Sequence, residues 1–166
     1  MYVALVGVAL AVVAVVLVVF QPHKLFIDDK VDEALPAGVI PATGGPAGAG
    51  TPGGEAGRGP SGAFTSGDHP TSGTAFVLSL QDGSRVLRLE DLDTDNGPDL
   101  RVYLSTAPAG ARGSEFDDDF VDLGALKGNI GSQNYTIAAN VDIARYQSVV
   151  IWCRRFSVAF GVAPLT

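Results

Sequence analysis

Eighteen consecutive residues near the start of the chain, Val3 to Phe20 (VALVGVALAVVAVVLVVF), carry no charge and no polar side chain. At about 1.5 Å per residue, an α-helix of that length spans roughly 27 Å, close to the hydrocarbon thickness of a bilayer. The run is longer than the apolar stretch of about 7–15 residues in a cleaved secretory signal. Met1 and Tyr2 give no basic start, and the exit VVFQPHKLF has no small-residue cleavage pattern. A helix apolar on every side suits lipid better than the interior of a small domain. Residues 1–23 are therefore expected to form one retained transmembrane signal-anchor. Lys24 and Lys30 follow it, mixed with Asp28, Asp29, Asp32 and Glu33, so the flanking charges argue only weakly about orientation. A short N-terminal anchor usually acts as an export signal. That expectation makes the chain a single-pass cell-membrane protein with its C-terminal domain outside the cytoplasm.

Residues 24–35, KLFIDDKVDEAL, are expected to form a short juxtamembrane helix near the headgroups. Residues 36–62 read as a disordered linker: 15 of the 27 are Gly or Pro, and no aromatic is present. A flexible chain of that length has an end-to-end distance of roughly 29 Å. Its expected task is to hold the following domain off the membrane or a cell-wall layer.

Residues 63–166 are the size of one small domain. Thr74–Leu80 and Ser84–Glu90 alternate apolar and polar residues and flank Asp82-Gly83, a strong hairpin signal. Leu100–Ser105, Asn134–Ala138, Ser148–Cys153 and Phe156–Val162 are further strand candidates, and no segment shows a sustained helical period. The expected fold is all-β, a small sandwich or barrel-like domain, preceded by one transmembrane helix and a disordered Gly/Pro linker.

Composition and motifs exclude several functions. From Ala63 onward 8 Lys and Arg face 13 Asp and Glu, so the domain carries a net charge of −5 and offers no basic patch for nucleic acid. EDLDTDNGPD places Asp91, Asp93 and Asp95 at alternate positions, but an EF-hand counted from Asp91 meets Asn96 and Val102 where it needs Gly and Glu. EFDDDFVD reads as an exposed acidic loop with Phe116, Phe120 and Val121 turned inward. With His23 and His69 the only histidines, and no nucleophile elbow, hydrolase chemistry has little support. Zinc would want several His or Cys ligands where the domain has one of each, so no metal site is expected. GALKGNIGSQ lacks the order of a phosphate-binding loop and reads as a shaped turn.

Cys153 is the only cysteine, between the only tryptophan, Trp152, and Arg154-Arg155. On a regular strand Val149, Ile151 and Cys153 share one face, with Arg155 next on it, while Val150, Trp152 and Arg154 share the other. Apolar burial disfavours a thiolate and nearby cations favour one. The residues alone leave open an inert core cysteine, a working thiol or ligand, and a thiol paired between chains.

Four ordered stretches carry a resemblance: His69 before TSG (Thr71–Gly73), NGPDLRVYLS (Asn96–Ser105), LGALKGNIGSQNYTI (Leu123–Ile137) and YQSVVIWCRRFSVAFGVAPL (Tyr146–Leu165). Together they resemble the DM-thirteen domain, a small extracytoplasmic module found in animals beside DOMON domains. The resemblance covers nearly all of residues 63–166 and neither the anchor nor the linker. It implies electron transfer centred on Cys153, either as a bare redox thiol or as a ligand to a prosthetic group such as haem. In the first form Arg155 would favour the thiolate and Trp152 would wall one side. In the second, His69 would sit opposite Cys153 on the iron. An exported redox partner follows from either. The other reading is a non-enzymatic binding or adhesion module for cell-wall polymer or an exported protein, with Tyr103, Tyr135 and Tyr146 as candidate contacts.

Overall fold

The computed structural model describes residues 6–7, 28–39 and 58–166. The expected transmembrane helix, apart from helical Val6 and Gly7, and residues 40–57 of the expected linker lie outside these. Among the described residues no helix is long and apolar enough to cross a membrane.

Among the described residues nine strands build two antiparallel sheets. The first contains β1 (Arg58–Ala63), β3 (Thr71–Ser79), β4 (Arg85–Thr94) and β7 (Ile130–Ile137), in the order β1-β3-β4-β7. The second contains β2 (Thr65–Ser66), β5 (Leu100–Ser105), β6 (Phe120–Ala125), β8 (Ser148–Cys153) and β9 (Val158–Pro164), in the order β2-β9-β8-β5-β6. The two apolar faces meet as a sandwich. Ala75, Val77, Leu87, Leu89, Tyr135 and Ile137 come from the first sheet. Val102, Leu104, Val149, Ile151, Cys153 and Phe160 come from the second. The alternation read from the sequence decides this facing. Leu87 and Leu89 have no exposed surface inside, and Val86 and Arg88 take the outer side.

The expected hairpin forms where Asp82-Gly83 reverses the chain. The Gly83 N–H donates to the Leu80 carbonyl, and Asp82 Oδ1 accepts from the Ser84 N–H at 2.9 Å. The second face of β8 is buried too. Val150 and Trp152 pack with Tyr103, Phe116, Ala159 and Val162, beneath Ala107, Ala109 and Ala111 of the long β5–β6 connection.

Three expectations are corrected. Residues 28–35 are not a helix: they run extended along the free edge of β7. Lys30 bridges Ile130 in parallel, Val31 N donates to Ile130 O, and Glu33 N donates to Ser132 O. The chain then crosses the outer face of the first sheet, where Val39 bridges Leu80 and packs on Phe76, Leu78 and Val86. Residues 58–62, expected in the disordered linker, are instead paired with β3 as most of β1. Arg58–Ala63 contains two glycines and a proline, a composition that hides an edge strand from any count of propensity. Finally, Phe120 opens β6 rather than an acidic loop, and it is 37% exposed, stacked on Tyr103 at 4.2 Å.

Candidate functional site

Cys153 ends β8, paired with Leu100 of β5 and Val158 of β9. Its side chain faces the inter-sheet core with Val149, Ile151, Leu100 and Phe160, and it has no exposed surface. Two neighbouring sheet strands and the opposing sheet enclose the sulfur on the side of Ile151. Trp152, 1% exposed, points to the other face of β8 and is separated from the thiol by the strand itself. It stands in an aromatic column whose ring centroids are 6.2 Å (Trp152–Tyr103) and 4.2 Å (Tyr103–Phe120) apart. The column therefore reaches from the residue beside Cys153 to the surface at Phe120.

The strand stops at Cys153 because the chain turns at once. Phe156 N donates to Cys153 O, and Ser157 takes a left-handed φ of 53°. Arg155 is thus on an exposed turn and not on the face it would share with Cys153 in a longer strand. Arg154 latches the turn to the start of β5, donating from Nε to Asp99 Oδ2 at 2.8 Å and from N to Asp99 O at 3.1 Å. Phe156 at the tip is 64% exposed.

His69 lies on the connection between β2 and β3. Its Nδ1 is 2.9 Å from Asp95 Oδ2, and its ring stacks on Phe160 with centroids 3.7 Å apart. Phe160 belongs to the same core cluster as Cys153, so His69 covers an aromatic wall of that core. Thr71 seals the layer beside it: Oγ1 donates to Phe160 O at 3.0 Å and lies 2.8 Å from Thr94 Oγ1. A Cβ on Gly161 would come within 2.4 Å of the Thr71 Cγ2, so only glycine lets the strands close there.

A haem held between Cys153 and His69 does not fit these residues. The thiol is closed in by packed apolar side chains, and His69 is stacked on Phe160 with its Nδ1 engaged by Asp95 Oδ2. Ligation by both would need the sandwich opened. Among the described residues no group of three or more His, Cys, Asp and Glu is placed to hold a metal ion. Of the alternate aspartates, Asp91 adopts a φ of 50° at an irregularity in β4, and Asp95 holds the His69 side chain. Tyr103, Tyr135 and Tyr146 are 2, 4 and 8% exposed, so none offers an open binding face.

No motif announces the polar cluster at the β6–β7 turn. Gln133 has no exposed surface, and its Oε1 accepts from the Tyr135 hydroxyl at 2.7 Å and from Lys127 N at 3.1 Å. Asn129, 3% exposed, donates to Thr94 O and Asp28 Oδ1 and accepts from Asp29 N at 2.7 Å. These side chains come from GALKGNIGSQ, which shapes a receptor for the extended segment 28–34.

A two-sheet antiparallel sandwich with one sealed thiol at a strand end is a class of domain, and the comparison with family models narrows it. The model described as "Electron transfer DM13" matches residues 63–165, more than half of the chain. The chain belongs to that family. Searches of curated proteins and of solved structures returned no match. Residues 28–39 and most of β1 precede the matched stretch.

Proposed function

We propose that this chain is an electron-transfer module tethered to the membrane by residues 1–23, with its β domain outside the cytoplasm and Cys153 as its redox centre. Family membership over residues 63–165 is the observation that carries this reading. The burial of Cys153 supports one manner of working over another. Thiol–disulfide exchange needs the attacking thiolate to touch a partner's disulfide, and a thiol without exposed surface cannot make that contact. Outer-sphere transfer needs no such contact: the exported redox partner, as oxidant, would take one electron from Cys153, which would lose its thiol proton and become a thiyl radical, and the reverse step would restore the thiol. The column Phe120, Tyr103, Trp152 supports the proposal by leading aromatic side chains from the surface to the residue beside Cys153. An exported redox protein is the partner such a module would serve.

The test is voltammetry of the full chain in nanodiscs, with Cys153→Ala beside it. A Faradaic signal in the wild type and none in the variant is the expected result. Equal signals would remove Cys153 as the centre, and silence in both would sink the redox reading. Maleimide labelling accompanies it: the folded chain should stay unlabelled until denaturant is added. Rapid labelling of folded protein would restore thiol exchange as the chemistry.

A further inference from the structure

The segment between the expected anchor and the Gly/Pro stretch is fastened to the domain at several independent points. Arg88, 5% exposed on the outer face of β4, donates from Nη1 to Glu33 O at 2.6 Å and to Ala34 O at 3.4 Å. Asn134 Nδ2 donates to Ala34 O at 2.9 Å. The Glu33 carboxylate accepts from Lys127 Nζ and from Asn134 N, each at 2.7 Å. The receiving turn is cut to fit. A Cβ on Gly128 would meet Asp29 O at 2.4 Å, and one on Gly131, whose φ is +103°, would meet Val31 O at 2.0 Å. Further along, Gly38 O accepts from Gln81 N at 2.8 Å. The Gly/Pro stretch 40–57 therefore leaves the domain at Val39 and rejoins the same domain at Arg58.

We infer that residues 28–39 are a docked strap that holds the domain close to the membrane, so that the Gly/Pro stretch connects two parts of the domain rather than the domain to its anchor. The inference rests on the anchor reading of residues 1–23. With the strap docked, only residues 21–27 separate the apolar run from the domain. For scale, an unstructured chain of seven residues has an end-to-end distance of roughly 15 Å, and one of the 37 residues 21–57, which would separate apolar run and β1 with the strap released, roughly 33 Å. A redox partner would then have to be a membrane-bound or membrane-adjacent protein.

The experiment uses the full chain in lipid: co-flotation with phosphatidylcholine vesicles, then neutron reflectometry of the domain–bilayer gap on a supported bilayer. Hydrogen exchange at the Val31 and Glu33 amides runs in parallel. A second chain carries residues 41–57 twice, which alters no strap or strand residue. A third carries Val31→Pro and Glu33→Pro, which deletes the two amide donors to β7. The expected result is protected amides and one unchanged short gap in the first two chains, widening about twofold in the third. A gap that widens with loop duplication, or unprotected strap amides in the wild type, would overturn the strap. Failure to co-float would overturn the anchor reading and take this inference with it, so the two failures are distinguishable.

Discussion

Replacing Cys153 by alanine and by serine separates packing from chemistry at a single residue. The alanine leaves a small void in the inter-sheet core, which should lower stability by about 1 kcal/mol. The serine puts a hydroxyl among Ile151, Leu100 and Phe160, where an unpartnered polar group costs about 1–3 kcal/mol. Urea unfolding should therefore rank wild type above Cys153→Ala and Cys153→Ala above Cys153→Ser. A serine variant as stable as wild type would mean that the thiol already has a polar neighbour. Gly161→Ala should cost about 1–3 kcal/mol, because its Cβ would strike Thr71. The facing of Cys153 and Trp152 was legible from alternation alone. The place of Arg155 was not, because the strand ends at residue 153 and alternation says nothing about where a strand stops.

Elements in this domain are joined by polar contacts whose protonation can be read. Lys127, whose ammonium donates to Glu33, and the Asn134 N–H hold the Glu33 carboxyl below the ordinary carboxylate value. A depressed carboxyl stabilises the docked strap above its free pKa, about 4.3. That contribution is lost as pH falls through the lower, docked value. Amide protection at Val31 and Glu33 should thus be full near neutrality and fade only in acid below about pH 4. Loss of protection between pH 6 and 5 would assign the switch to another group. Tyr135 moves the other way: burial pushes its phenol up to about 12. Ultraviolet titration should leave it un-ionised well past the ordinary phenol range near pH 10. The stability it gives, full below that range, should decline as pH rises towards 12. Neither contact was legible beforehand, since Glu33 and Lys127 lie 94 residues apart.

For the molecule as a whole, the folding unit is longer than the family match. β1 closes the β3 edge and the strap closes the β7 edge, and an open edge invites pairing with other chains. A fragment starting at Ala63 loses both, together with the carbonyl partners of buried Arg88. It should unfold at lower urea than residues 28–166 and aggregate at concentrations where the longer fragment stays monomeric. Equal midpoints and equal sedimentation would show that strap and β1 are dispensable.

The amino-acid order alone determined the all-β class, the Asp82-Gly83 hairpin, which residues share each face of β4 and β8, and the family resemblance. Each depends on residues a few positions apart, where alternation and turn chemistry act. Only the tertiary structure decided that Cys153 is sealed, that His69 rests on Phe160 and not in a cleft, and that residues 28–39 belong to the domain. Those facts depend on which sheet faces close on each other and which edge stays free. Strand pairing across some 100 residues sets both, and no local pattern records it.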